Sequence, residues 1–137
     1  MNNLEKAKKL LLEGGYTCVI CGENGVDVTR LRGVKPLVEW IDEGKDFSGC
    51  SAADKVVGRA AALLYAFMNI KDVYSDVISE SAIEVFRHYG IDFSAGEITP
   101  TIINRSGDDI CPMEKLTKNV KSPLSALRKI RAKLENM

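Results

Sequence analysis

The chain carries no surplus of charge. Nineteen lysines and arginines stand against nineteen aspartates and glutamates, a formal net charge of zero. Without a basic excess there is no broad footprint for nucleic acid or an anionic membrane, and without an acidic excess none for a solvating tail. The C-terminal part is locally basic, with Lys115, Lys118, Lys121, Arg128, Lys129, Arg131 and Lys133. Their spacing against Leu124, Leu127, Ile130 and Leu134 reads as the solvated face of a helix. No apolar run reaches the length of a membrane span. The start, Met1 to Lys6, holds an acid and no signal-peptide core, so a cytoplasmic location is the expectation. Four cysteines in 137 residues do not make a disulfide scaffold, and reduced thiols are expected. Histidine occurs once, at His88. Repeats, low-complexity segments and linkers are absent, which leaves one domain over residues 1–137.

What is present is an ordinary globular composition, 45% hydrophobic and 28% charged, with a readable order of elements. Leu4, Ala7, Leu10 and Leu11 line one face of a first helix, stopped by Gly14-Gly15. Tyr16–Cys21 and Val26–Leu31 read as strands joined through the Asn24-Gly25 turn. Val34, Leu37, Val38 and Ile41 have helical spacing, and residues 44–49 form a polar loop. A central helix is predicted from about Ser51 to Met68, with Val56, Val57, Ala60, Leu63, Leu64 and Phe67 apolar and Gly58 to Ala62 mostly small. Small residues let a helix sit close to a sheet, and Gly58, which costs about 1 kcal/mol of helix propensity, implies a close backbone approach. A strand over Val73–Ile78, a helix over Ser81–Tyr89, a strand over Glu97–Asn104 and two proline-started helices at Cys111-Pro112 and Ser122-Pro123 follow. This order predicts an α/β fold: a three-layer α/β/α sandwich around a mixed sheet of four or five strands. Right-handed crossovers are expected to put helices on both faces.

The order, with its small-residue helix after a hairpin, resembles the cytidine deaminase-like fold. The segment Ala53-Asp54-Lys55-Val56-Val57-Gly58-Arg59-Ala60-Ala61-Ala62-Leu63-Leu64 is similar to the bacterial family known as domain of unknown function 1893, to which such a fold is assigned and no activity. The resemblance implies that two helix N-termini meet at a cleft: the start near Ser51 and the start near Glu80. Zinc deaminases need H-x-E or C-x-E at the first start and P-C-x-x-C at the second. Here Cys50-Ser51-Ala52 has alanine in place of the glutamate, and Ile78-Ser79-Glu80-Ser81-Ala82 has no cysteine. The zinc set is incomplete, and no metal or other cofactor is predicted.

Around the expected cleft, Ser51 and Asp54 have capping-box spacing, which explains both as structural; the functional alternative makes Asp54 an acceptor or base. Lys55 in a first helical turn opposes the helix dipole. Its stem lies on apolar surface, or its amine meets an anion beside the helix N–H groups. Arg59 stands one turn on, and a shared anion would relieve the two cations. Cys50 before a helix start would have a lowered thiol pKa, or serves as a small filler. Ser81-Ala82-Ile83-Glu84 reads as a second capping box, and Glu80 and Ser81 would line the same cleft. Cys111 closes that cleft or merely caps. Cys18 and Cys21 form a Cys-x-x-Cys turn, but within a strand they face opposite sides, so strand filler is favoured over zinc. Gly22-Glu23-Asn24-Gly25 lacks the spacing of a phosphate loop.

The expected function is therefore the binding of a small anionic or nucleotide-like molecule by Cys50, Ser51, Asp54, Lys55, Arg59, Glu80 and Ser81. The alternatives are a metal-independent enzyme using Cys50, Asp54 and Lys55, and a zinc-dependent hydrolase or deaminase. Self-association is an expectation that comes with the deaminase-like resemblance.

Overall fold

A computed structural model describes every residue, Met1–Met137. Helix α1 (Asn3–Gly14) starts on Asn2, whose side chain accepts from the Glu5 N–H at 2.8 Å. It stops where Gly15 turns left-handed at φ +71°, a conformation only glycine adopts cheaply. Strands β1 (Cys18–Gly22) and β2 (Gly25–Thr29) pair antiparallel across Glu23-Asn24. Helix α2 (Lys35–Asp42) follows.

Residues 51–57 depart from the expectation. Ser51–Val57 is a strand, β3, and the central helix α3 runs only from Arg59 to Phe67. β3 is the middle of the five-stranded sheet, whose order is β2-β1-β3-β4-β5. It pairs antiparallel with β1 and parallel with β4 (Asp72–Ser79), and β4 pairs parallel with β5 (Asp92–Thr99). Alanine, aspartate and lysine are weak strand formers. Ladder bonds on both edges and burial on both faces override that preference. Ala52 and Ala53 are wholly buried, each in a different apolar cluster on opposite faces of the sheet. A strand buried on both faces shows no polar alternation, so its small residues imitate the helix that follows.

The sandwich has three unequal layers. One face is covered by α1 alone, through Ala7 and Leu11 on Val19, Cys21, Ala53 and Tyr74. The other carries α2, α3, α4 (Glu80–Tyr89) and α6 (Pro123–Glu135) over Ile20, Ala52, Val73 and Ile78. The two parallel crossovers do not use both faces. Strands β3, β4 and β5 advance in one direction, so right-handed connections place α3 and α4 side by side; the opposite face is covered by the N-terminal helix instead. Helix α3 is enclosed as expected from its small residues, with Arg59 through Tyr65 all buried. Ser122 caps α6, its side chain accepting from the Ser125 N–H.

The last expected strand is displaced. β5 ends at Thr99, and residues 102–111 make a short hairpin with one bridge, Ile103 to Ile110. Helix α5 (Pro112–Thr117) then leads back to α6. No helix is long and apolar enough to cross a membrane.

Candidate functional site

The tips of α3 and α4 lie together at the carboxyl ends of β3 and β4. Gly58, the residue before α3, has no side chain to satisfy the free N–H groups of the first turn. Glu114 of α5 does so from outside: its Oε1 accepts the Arg59 N–H at 2.5 Å, and its Oε2 accepts from the Ile102 N–H and the Thr101 hydroxyl, each at 3.2 Å. A Cβ at position 58 would stand 2.7 Å from Glu114 Oε1, so any larger residue there would have to displace the Glu114 carboxylate. The Arg59 side chain, on a residue 6% exposed, donates from Nε and Nη2 to the Val120 carbonyl at 3.0 and 2.6 Å and from Nη1 to Ser81 Oγ at 3.1 Å. Glu84, largely exposed, is 3.7 Å from Nη1. The α4 tip is capped by Ser79, whose Oγ accepts the Ala82 N–H at 3.1 Å.

Arg59 and Ser81 are thus brought together, while the other expected site residues are dispersed. The reason is the change from helix to strand. Six strand steps carry the chain about 20 Å from Ser51 to Val57, where a helix would hold Cys50, Ser51, Asp54 and Lys55 around one tip. Ser51 is buried at the amino end of β3, where it lines a cavity of about 320 Å³ with Asn2, Asn3, Gly49, Lys71 and Asp72. Cys50 lies at the same end, its Sγ over the backbone of Gly22. No helix dipole acts on it; burial, then the charges of Asp46, Asp27 and Glu23, push its thiol pKa up, opposite to an activated nucleophile. Lys55 is exposed on mid-strand. Glu80 opens α4 and faces solvent. The Ser51–Asp54 and Ser81–Glu84 capping boxes do not form: Ser51 is in a strand, and Ser79 caps α4. Cys111 precedes α5 and makes no side-chain cap bond.

Asp54 enters a different network. Its Oδ2 accepts from the Tyr65 hydroxyl at 2.6 Å, and the Cys18 thiol lies 3.2 Å from the same hydroxyl. Tyrosine has one proton to give, so with that proton on Asp54 the thiol donates to Tyr65. Burial raises the Asp54 pKa to about 6, against the lowering effect of the Tyr65 hydrogen bond. Cys18 and Tyr65 are pushed well up, chiefly by burial. Cys18 and Cys21 face opposite sides of β1, as alternation requires. No three His, Cys, Asp or Glu side chains are grouped to hold a metal ion, so the residues do not fit a deaminase zinc.

Three participants had no local signature in sequence: Glu114 and Val120 act from about sixty residues away, and Tyr65 meets Asp54 only through the fold. Cys18, read as strand filler, joins them at the Tyr65 hydroxyl.

A family model described as "Domain of unknown function (DUF1893)" matches residues 6–134. The crystal structure of a DUF1893 family protein (TM1506) from Thermotoga maritima is similar with a TM-score of 0.87 and 28% identity, over 96% of this chain and 90% of that one. A diaminohydroxyphosphoribosylaminopyrimidine deaminase/5-amino-6-(5-phosphoribosylamino)uracil reductase from the same organism aligns with a TM-score of 0.44 and 16% identity, over 69% of this chain and 35% of that one. No curated protein matches the chain.

Proposed function

The chain belongs to the DUF1893 family, and from its geometry we propose that it binds a small anion where the α3 and α4 tips meet, with Arg59 and Ser81 as the contacting side chains. One observation carries this reading. The buried Arg59 guanidinium makes all its hydrogen bonds to neutral oxygens, those of Val120 and Ser81. A buried cation is ordinarily matched by a carboxylate or phosphate at bonding distance. Here the nearest carboxylate to the guanidinium is the exposed Glu84. Two helix N-termini add positive potential at the same point. Glu114, seated on the α3 tip, supports the reading from the other side, since that tip already holds a carboxylate. Nucleotides are the form of anion that the deaminase-like resemblance implies.

Calorimetric titration with inorganic phosphate and with a nucleoside monophosphate tests the proposal. The expected result is saturable binding that weakens at least tenfold in Arg59→Lys, which keeps the charge and loses the planar fork. Absence of heat with both anions rejects it.

A second reading, metal-independent proton transfer at Asp54, is supported by the pKa of about 6 and the Tyr65 hydrogen bond. Cys50 has no part in it, because it lies at the amino end of β3.

A further inference from the structure

Between β5 and α6 the chain leaves the sandwich for some twenty residues, and the hydrogen bonds of Glu114 and Val120 hold it at the first turn of α3, while the Tyr89 hydroxyl of α4 donates to the Lys121 carbonyl at its end at 2.7 Å. Its start, at Thr101 and Ile102, is held by Glu114 Oε2. Its middle, Glu114 itself, is held by the Arg59 N–H. Its end, at Val120, is held by the Arg59 guanidinium. We infer that residues 101–121 form a strap that opens as a unit, latched shut by Glu114 on the α3 tip.

The contents of the segment favour opening as a unit. α5 has six residues, too few to be stable alone. The hairpin at 102–111 has a single bridge, and its Ile103 and Ile110 are exposed. Val120 is the strap's one apolar residue in the buried core; Met113 and Leu116 only lean on it. Sub-global opening of such a segment is expected at lower free energy than global unfolding. The latch is also tight by construction, because Gly58 leaves room for the carboxylate and no more. With the strap shut, Glu114 occupies the α3 tip. If an anion binds at Arg59 and Ser81 as proposed, it has to displace that carboxylate, and the strap gates the site.

Hydrogen exchange read by mass spectrometry on the full chain tests the inference with two variants. Glu114→Gln turns an amide N–H₂ against the Ile102 or Arg59 N–H. Gly58→Ala pushes the carboxylate away and leaves every charge in place. In both, amides of 101–121 are expected to exchange at least tenfold faster, as the loss of one charged hydrogen bond implies. Amides of β1, β3 and β4 should stay within about twofold of wild type. Wild-type protection of 101–121 in both variants overturns the strap, and so does an equal rise across the whole chain, which would make Glu114 a support of the entire fold. The gating is read separately, with inorganic phosphate. Glu114→Gln should bind it at least tenfold tighter than wild type, and equal affinity overturns the gate. Faster strap exchange with no phosphate bound by either protein removes the anion site and leaves the strap standing.

Discussion

Arg59 and Asp54 are five residues apart on one β3–α3 unit, and each takes its charge out of bulk water in a different way. The Arg59 guanidinium places three of its five N–H donors on the neutral oxygens of Val120 and Ser81, and its carboxylate neighbour Glu114 is spent on backbone N–H groups. Asp54 is given one hydroxyl, from Tyr65, and a weak backbone bond at 3.3 Å from Val56. Desolvation wins there, and the carboxyl pKa rises to about 6. An arginine cannot escape burial by losing its proton, so the fold has to supply partners. An aspartate can, and the fold leaves it short of them. The first arrangement therefore acts on the position of a strap, and the second on the response to pH.

The contrast breaks first at Arg59. Arg59→Met leaves the Val120 carbonyl without either of its guanidinium donors and Ser81 without its partner, and should cost about 3 kcal/mol in urea unfolding. A loss below about 1 kcal/mol would mean that those oxygens find water and that Arg59 is not a structural hub.

The pH response sharpens the contrast. A folded pKa near 6 against 3.8 in the free side chain means the folded chain binds more protons between those values. The contribution of Asp54 to stability is therefore complete below 3.8 and is lost as pH rises through about 6. Because Asp54 is only partly buried, about 2 kcal/mol is the expected difference. Urea midpoints at pH 4.5 and 7.5 should fall more for wild type than for Asp54→Asn; parallel behaviour of the two proteins would remove Asp54 as the cause.

The smallest effect belongs to Tyr65→Phe. It deletes the hydrogen bond that holds the Asp54 pKa down, so NMR titration of the carboxyl should show a midpoint above that of wild type. The accompanying loss of stability should be about 1 kcal/mol. An unmoved midpoint would show that Asp54 and Tyr65 are not coupled in solution.

Legibility in sequence followed locality. The Gly15 stop, the Asn24-Gly25 hairpin and the Ser122-Pro123 helix start are visible because neighbouring residues cause them. β3 was hidden because Ala52 and Ala53 are chosen by the layers above and below them, not by their own backbone preference. Helical spacing would gather Cys50, Ser51, Asp54 and Lys55 at one tip, and the strand instead leaves Cys50 and Ser51 at its amino end with Asp54 and Lys55 further along it. Ser81 keeps its place because α4 starts beside it in either reading, whereas Arg59, about two turns inside the expected helix, reaches the tip only because α3 begins at Arg59.

From sequence alone came the α/β class and the enclosure of α3, each a consequence of residue type at short spacing. Tertiary structure alone decided what meets at the α3 tip. Glu114 and Val120 reach Arg59 across more than fifty residues of chain. Contacts of that range are selected by how the layers pack, a constraint that no stretch of neighbouring residues encodes.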